Sequence, residues 1–478
     1  MSITLDYTNC LAEAISPTHG LIQSEVKTLI DKIPAHHANL EEQRSNGESG
    51  FWELPYQDTS ELTALLKKHQ GRWDHLVVCG TGGSVLTPRS LFGALAHRHH
   101  NELDPKARKG APKVHFLSSA DPLAVSQLLG GLDLKKTLFQ VNSRSGSTAE
   151  AVAQTLLILE VLKKKAGKTS PSNQLVIVTE LEKSPLFELA RLEKCDTLHF
   201  PANVSGRFSV LGNNTLFMAG LSGISVPALL KGGAAADQQF RHGEANANPG
   251  YMHALLHYLL TRKRRKTIHA TFPFSERLGH VATWYNHLVA VSLGKMNNRQ
   301  GKAVHVGPSP ESAVGTFDLH GQQQLHSEGP FDKVVTFITV RDHGSTQAVP
   351  ASPIRSDGLS YVGGADLATL VEQGHLAAEE HLTSSGRPSM NLILDTVDEA
   401  HVIGLYHLLM LSAVMSAELY GIDPFDQPSI EHAKAGIFAQ TGRSGFEDRA
   451  KKLRDYRARP RRRTVERRIP EPAPAPAE

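Results

Sequence analysis

The fold of this chain is constrained most by short apolar runs that end at a glycine or a polar residue and alternate with helical stretches. The runs are HLVVCG, VHFL, TLFQVN and LVIVT, at residues 75–80, 114–117, 137–142 and 175–179. Runs of this length, rich in β-branched residues, are typical of strands buried in a parallel sheet. A helical pattern at 149–165 separates two of them. The alternation predicts βαβ units around a parallel sheet.

A second series of apolar runs follows a helical region that spans residues 216–224 and 253–263. Its members lie at 267–271, 302–306, 334–340 and 391–394, and a helical pattern returns at 401–419. The segment 345–360, rich in Ser, Pro and Gly, is expected to form a surface loop.

These patterns predict an α/β protein with two domains in tandem. We expect a helical segment over residues 1–60, where apolar residues recur at spacings of three and four. A first α/β domain is expected over 61–206 and a second over 207–440, followed by a tail over 441–478.

The tail carries the positive charge of the chain. It holds 12 Lys and Arg against 6 Asp and Glu, whereas the remainder holds 39 against 42. The run ARPRRRTVERR has the charge to bind nucleic acid or a membrane surface. However, no aromatic residues interleave its arginines, and the PEPAPAPAE that follows is proline-rich without apolar anchors. We therefore predict a disordered, solvated tail and no nucleic-acid partner.

Composition is typical of a globular protein from a reducing compartment. The chain has 478 residues, 40% hydrophobic and 21% charged, which suffices for two or three domains. No stretch approaches the ~18 consecutive apolar residues of a membrane span, and the first residues lack a signal-peptide pattern. Cys10, Cys79 and Cys195 lie far apart, which argues against a disulfide framework. We expect a cytoplasmic protein without membrane contact.

Two turns rich in glycine and hydroxyl groups follow predicted strands. They are GTGGS at residues 80–84 and NSRSGST at 142–148. Small residues let the backbone approach an anion, and helix N-terminal amides and hydroxyls donate to a phosphate. Neither turn matches the P-loop or the dinucleotide fingerprint. Alone, the first is explained equally well as an ordinary βα turn. The four hydroxyls and the arginine of the second favour phosphate, and the pair favours a sugar phosphate over a nucleotide.

Further polar segments follow in order: GRFS at 206–209, WYNHLVAVSLGK at 284–295, FDLHGQ at 317–322 and FDQPSIEHAK at 425–434. Taken singly, their charged residues are most often surface ion pairs, satisfied loop histidines or solvated helix residues. Taken in order with the two turns, they resemble the phosphoglucose isomerase family over residues 71–434. The pieces FSERL at 274–278 and GRP at 386–388 also stand in the expected places.

The resemblance implies two tandem sugar isomerase (SIS) domains, which are three-layer α/β/α sandwiches with parallel sheets, and a homodimer with shared active sites. It implies a phosphorylated hexose as substrate and no metal or organic cofactor. The implied phosphate-binding residues are Ser84, Ser143, Arg144, Ser145 and Thr148. Arg144 stands where the family more often has lysine, and arginine is the better bidentate phosphate ligand.

The resemblance also implies the remaining roles. Gly83 and Gln427 contact the substrate. His320, contributed by the neighbouring subunit, and Lys434 open the sugar ring, a proton transfer that suits a histidine near neutral pH. Arg207 stabilises the negative charge of the enediolate. The implied activity is the interconversion of glucose 6-phosphate and fructose 6-phosphate in glycolysis and gluconeogenesis.

One position departs from the family pattern. The glutamate that moves a proton between C2 and C1 precedes Ser-x-Gly-Lys in the family, and this chain has Val291 there. General-base catalysis is typically worth ~10²–10⁴-fold, so its loss bears directly on activity. His287 stands one helical turn earlier on the same face, where the family usually has glutamine. It is a candidate surrogate base, although its side chain starts ~5.4 Å from the vacated position.

Three explanations for Val291 stay open. The chain is a sugar-phosphate-binding protein that has lost catalysis, another residue such as His287 serves as the base, or the sequence at Val291 carries an error or a local variant. An SIS isomerase acting on another sugar phosphate is a further alternative, because pocket shape selects the hexose.

Overall fold

The computed structural model describes residues 2–166 and 171–459. The chain divides into two units, one that ends at Asp426 and one that begins at Gln427. The strands of the described residues belong to the first unit: β1 Ile3–Asp6, β2 His75–Gly80, β3 Lys113–Leu117, β4 Thr137–Asn142, β5 Leu175–Thr179, β6 Asp196–His199, β7 Ile268–Pro273, β8 Lys295–Asn297, β9 Ala303–Val306, β10 Ser309–Ser312, β11 Lys333–Asp342 and β12 Ser389–Thr396.

The α-helices of the described part of the first unit are α1 Ala12–Ile15, α2 Gln23–Ile30, α3 Ile33–Ser45, α4 Ser60–His69, α5 Gly83–Leu95, α6 Pro122–Gly130, α7 Ala149–Ala166, α8 Pro185–Glu193, α9 Asn213–Leu221, α10 Val226–Phe240, α11 Pro249–Arg264, α12 Gly279–Leu293, α13 Gln322–Glu328, α14 Asp357–Ser360, α15 Leu367–Ser384 and α16 Glu399–Tyr420. The second unit contains α17 Pro428–Gln440 and α18 Glu447–Ala458.

The first sheet has the strand order β3-β2-β4-β5-β6, and every pairing is parallel. Its inner strands β2, β4 and β5 are buried along almost their whole length, which explains why their sequences are continuous apolar runs. These strands confirm the sequence prediction. Strand β6 was not predicted, because its sequence DTLH is polar and lies at the edge of the sheet.

The second sheet has the order β1-β12-β11-β7-β10. Strands β12, β11, β7 and β10 are parallel to one another. Strand β1 adds to the edge antiparallel to β12, with Ile3 opposite Leu394. The prediction that residues 1–60 are helical is therefore wrong for this short strand. Four residues are too few for the alternating pattern of a strand to be recognised in the sequence.

Residues 302–306 also depart from the prediction. The strand there, β9, pairs antiparallel with β8 in a separate two-stranded sheet instead of joining the second parallel sheet. Its place at the edge is taken by β10, whose sequence SPES carries no apolar signal. The domain boundary at 206/207 stays a prediction, although it separates β2–β6 from β7–β12.

Helix α16 is the centre of the second half of the first unit. It packs against α10, α11 and α12. Among the described helices it alone is long and apolar enough to cross a membrane, but 94% of that stretch is buried in protein. An all-round apolar helix of this kind is expected in the middle of a large core.

The predicted disordered tail over 441–478 is wrong for residues 447–458, which form α18. Its first turn carries Glu447 and Asp448 and its last turn Arg457, an arrangement that complements the helix dipole. The basic run from residue 460 onward and the proline-rich end lie outside the described residues.

Candidate active site

The two hydroxyl-rich turns lie side by side. They leave the carboxyl ends of β2 and β4, which are neighbours in the first sheet with Gly80 opposite Asn142. The strand order reverses between these two strands, since β3 lies on the far side of β2. In open parallel sheets, ligands bind outside the carboxyl ends of the strands at such a switch point. The sheet thus brings together two segments that are about 60 residues apart in sequence.

Close backbone packing fixes the first turn. Gly82 has a positive φ of 55° and precedes α5. A Cβ atom on Gly83 would overlap the backbone nitrogen of Arg207, and one on Gly206 would lie 2.6 Å from that of Ser84. The hydroxyl of Thr87 donates to the Gly206 carbonyl at 2.8 Å. The N-terminus of α5, with Gly83 and Ser84, is therefore held directly against the backbone that carries Arg207.

The second turn offers hydroxyl groups at different depths. Ser143 is buried, and its Oγ has no hydrogen-bond partner among the described residues. The hydroxyl of the exposed Ser145 contacts that of Ser147 at 3.2 Å, and the guanidinium of Arg144 donates to the Ala202 carbonyl at 3.2 Å. Thr148 directly precedes α7. Because an unpaired buried hydroxyl is costly, Ser143 Oγ is suited to donate to a bound anion.

Arg207 is almost completely buried and firmly held. Its Nε donates to Ser292 Oγ at 2.9 Å, and one Nη donates to the carbonyls of Pro424 at 2.6 Å and Phe425 at 3.0 Å. Burial, reinforced by the nearby Arg144, lowers the pKa of Arg207 to about 10. That value leaves Arg207 charged at neutral pH, so two cations act on the same region.

Helix α12 presents His287 and Val291 on one partly open face, as predicted from their spacing. Both are partly exposed, whereas Leu288 and Ser292 beside them are buried. A Cβ atom on Gly82 would lie 3.9 Å from Cε1 of His287, so the first turn adjoins this face. Burial, and secondarily the charge of Arg207, lowers the pKa of His287 to about 4. The imidazole is therefore neutral at physiological pH.

His320 is exposed at the end of a short 3-10 helix over Phe317–His320. Within the described residues, no hydrogen bond joins it to the two turns or to Arg207. This position leaves the ring accessible from outside its own chain.

In the second unit, Gln427 and Lys434 share a partner that the sequence did not single out. Glu431 Oε1 accepts from Gln427 Nε2 and from Lys434 Nζ, both at 2.8 Å. Gln427 immediately precedes α17, and Lys434 lies two turns inside it.

Two further residues of the Ser-x-Gly-Lys segment have specific partners. Ser292 accepts from Arg207, and Lys295 Nζ donates to the main-chain carbonyl of Asp426 at 2.7 Å and to its carboxylate at 2.5 Å. In the sequence, this segment is only the landmark that locates Val291. Their pairing with Arg207 and Asp426 was not visible in the sequence.

The two remaining landmarks lie elsewhere. Residues 274–277 line a separate cleft of about 930 Å³ together with Thr283 and Thr316. Arg387 donates to the carbonyls of Gly329 and Pro330 ahead of β11, which indicates a structural role.

Comparison with known proteins places this geometry in context. The model of the family described as phosphoglucose isomerase matches residues 67–444. The chain belongs to the phosphoglucose isomerase family. The family assignment predicted from the ordered motifs is confirmed, and so is the α/β fold with parallel sheets.

The chain matches members of the phosphoglucose isomerase family over nearly their whole length. It is 32% identical to the glucose-6-phosphate isomerase of Carboxydothermus hydrogenoformans over 464 residues, which cover 96% of this chain and 99% of the relative. It is 32% identical to that of Rubrobacter xylanophilus over 448 residues, 93% of this chain and 99% of the relative.

Two solved structures share the fold. A hypothetical protein from Thermus thermophilus superposes with a TM-score of 0.79 at 28% identity and covers 93% of this chain and 100% of its own. A glucose-6-phosphate isomerase from Chlamydia trachomatis superposes with a TM-score of 0.70 at 22% identity, over 83% of this chain and 75% of its own.

Proposed function

We propose that this chain interconverts glucose 6-phosphate and fructose 6-phosphate. The observation that carries the proposal is the pairing of two hydroxyl-rich turns at the switch point of the first sheet, next to two arginines. Relatives that match it over nearly their full length are named glucose-6-phosphate isomerases.

The phosphate group is bound by the two turns. Ser84 at the start of α5, Ser143, Ser145 and Thr148 donate from hydroxyls or from the amides at a helix N-terminus. Arg144 neutralises the phosphate charge. Gly83 contributes its backbone, because a side chain there would collide with Arg207.

Ring opening is assigned to His320 and Lys434. The exposure of His320 supports a contribution from a second copy of the chain, and hence a homodimer with shared active sites. Gln427 contacts the sugar. We place the reaction in cytoplasmic glycolysis and gluconeogenesis.

For the proton transfer between C2 and C1, His287 is the best-supported base. Its pKa of about 4 is close to the ordinary value of a glutamate carboxylate, ≈ 4.3. A neutral imidazole at this value therefore has nearly the basicity of the carboxylate that Val291 replaces. Arg207, whose charge also lowers the pKa of His287, stabilises the enediolate.

A second candidate function is supported by Val291 itself. Its isopropyl group lies on the partly open face of α12, where it has nothing to accept a proton. A chain that binds sugar phosphates without isomerising them fits this observation. An isomerase for another phosphorylated sugar fits the same phosphate site.

A coupled assay with purified protein and fructose 6-phosphate distinguishes the candidates. The isomerase proposal expects turnover above the uncatalysed background, abolished by Arg207→Ala. Background turnover together with micromolar binding of 6-phosphogluconate would leave the binding function alone. Turnover with a different phosphorylated sugar and none with fructose 6-phosphate would change the substrate.

A further inference from the structure

Ser292 connects the helix of the candidate base to the candidate enediolate cation. It follows Val291 in the last turn of α12 and is completely buried. Its Oγ accepts from Arg207 Nε at 2.9 Å across 85 residues of sequence. A hydrogen bond to a charged group is stronger than one between neutral groups.

The hydrogen bond to Ser292 acts on the guanidinium of Arg207 beside contacts of other kinds. Trp284 Nε1 donates to the main-chain carbonyl of Arg207 at 3.0 Å, which fixes the backbone and not the guanidinium. The carbonyls of Pro424 and Phe425 accept from one Nη. Ser292 accepts from Nε, so that the two contacts together set the plane of the guanidinium.

The same short segment also contacts the residue next to the carbonyls that accept from Arg207. Lys295, three residues after Ser292, donates to the main-chain carbonyl and the carboxylate of Asp426. Asp426 directly follows Pro424 and Phe425, whose carbonyls accept hydrogen bonds from Arg207. The contact at Nε and the position of these carbonyls therefore depend on residues 292–295.

We propose that Ser292 is a positioning residue of the isomerase reaction, which orients Arg207 toward the face of α12 that carries His287 and Val291. The inference rests on the proposed function. It assigns Ser292 no contact with the substrate, only an action through Arg207.

A double-mutant cycle tests it. Ser292→Ala is expected to lower kcat for fructose 6-phosphate roughly tenfold and to leave KM within twofold, since the phosphate turns are untouched. Arg207→Lys removes the Nε–H group that donates a hydrogen bond to Ser292 Oγ. In that background, Ser292→Ala should have no further effect on kcat. Ser222→Ala, which removes a buried hydroxyl bonded to the Ala219 carbonyl, is the matched control and should leave kcat unchanged.

Additive losses in the double mutant, or an unchanged kcat in Ser292→Ala, would overturn the proposal. If the parent chain has no turnover, the proposed function fails, and the cycle is repeated on the Kd for 6-phosphogluconate by calorimetry. The positioning role would then be supported, in a binding protein, if Ser292→Ala weakened binding in the parent chain but not in the Arg207→Lys background. Additive effects on Kd, or no binding by the parent chain, would reject it.

Discussion

Gly82 and His287 lie close together where the first hydroxyl-rich turn adjoins α12: a Cβ atom on Gly82 would lie 3.9 Å from Cε1 of the histidine. The glycine conformation with φ of 55° and the absence of a side chain keep this space open. The imidazole is thereby next to the segment that we assign to the phosphate.

This relationship yields the first prediction. His287→Gln restores the amide usual in the family but removes the imidazole, and should lower kcat at least 100-fold if His287 is the base. Because the pKa of His287 is about 4, its ionisation should leave wild-type kcat/KM constant above pH ~5. Below that pH the imidazole protonates, and kcat/KM should fall. His280→Gln, on the same helix two turns earlier, serves as the control. An unaffected rate in His287→Gln eliminates the surrogate base.

Restoring the carboxylate gives the second prediction. Val291→Glu should raise kcat by ~10²–10⁴-fold if the rest of the site is intact, because the base then returns to its family position. Val291→Gln has the same size without a base and should give no gain. The measurement is the coupled isomerase assay on the three proteins. No gain from the glutamate would indicate damage beyond position 291.

The unpaired hydroxyl of Ser143 gives the third prediction, in which two effects have opposite signs. Ser143→Ala removes a buried hydroxyl without a partner among the described residues, so the free energy of unfolding of the unliganded protein should stay equal or rise, by up to about 1 kcal/mol. The same change should weaken phosphate binding roughly tenfold.

Thermal unfolding with and without inorganic phosphate measures both effects. Thr155→Ala on the adjoining helix α7 removes a buried hydroxyl that donates to the Ala151 carbonyl at 2.6 Å, and it should destabilise the protein without changing the phosphate-induced shift. Destabilisation by Ser143→Ala with an unchanged shift would contradict the phosphate assignment.

A pair of buried histidines gives the fourth prediction. His253 Nε2 and His257 Nε2 lie 3.1 Å apart between α11 and the second sheet; His253 also contacts Ser412, and His257 contacts Thr336. Burial lowers the pKa of His253 to about 3 and that of His257 well below its usual value, the latter also through His269 and His253.

Both rings are neutral in the folded protein and protonate on unfolding below pH ~6.5. Stability from this pair is therefore fully present above that pH and is lost as the pH falls below it, with a slope of up to ~2.7 kcal/mol per pH unit for two protons. Denaturant unfolding between pH 8 and 5 measures the slope. His257→Gln should reduce the measured slope by up to ~1.4 kcal/mol per pH unit, the share of one proton, and the exposed His381→Gln should not. An equal slope in all three proteins would contradict this account.

Much of the fold follows from local pattern. The inner strands β2, β4 and β5 are buried on both faces, so their sequences are continuous apolar runs and were predicted at their observed positions. Strands β1, β6 and β10 are edge strands of four residues with polar positions, and no period can be recognised over that length. Helix α18 was missed because a charged sequence has no apolar stripe, although it can form a helix through charge placement.

The sequence by itself determined the family, the two glycine- and hydroxyl-rich turns and the valine at position 291, because each is written in neighbouring residues. Only the tertiary structure decided that the turns meet at the switch point, that His287 adjoins Gly82, and that Ser292 holds Arg207. These relationships join residues about 60 to 200 apart, and they depend on strand order and on the depth of each side chain in the core. Neither strand order nor depth in the core is encoded in the local period of hydrophobicity. That period indicates only which face of its own helix or strand a residue occupies.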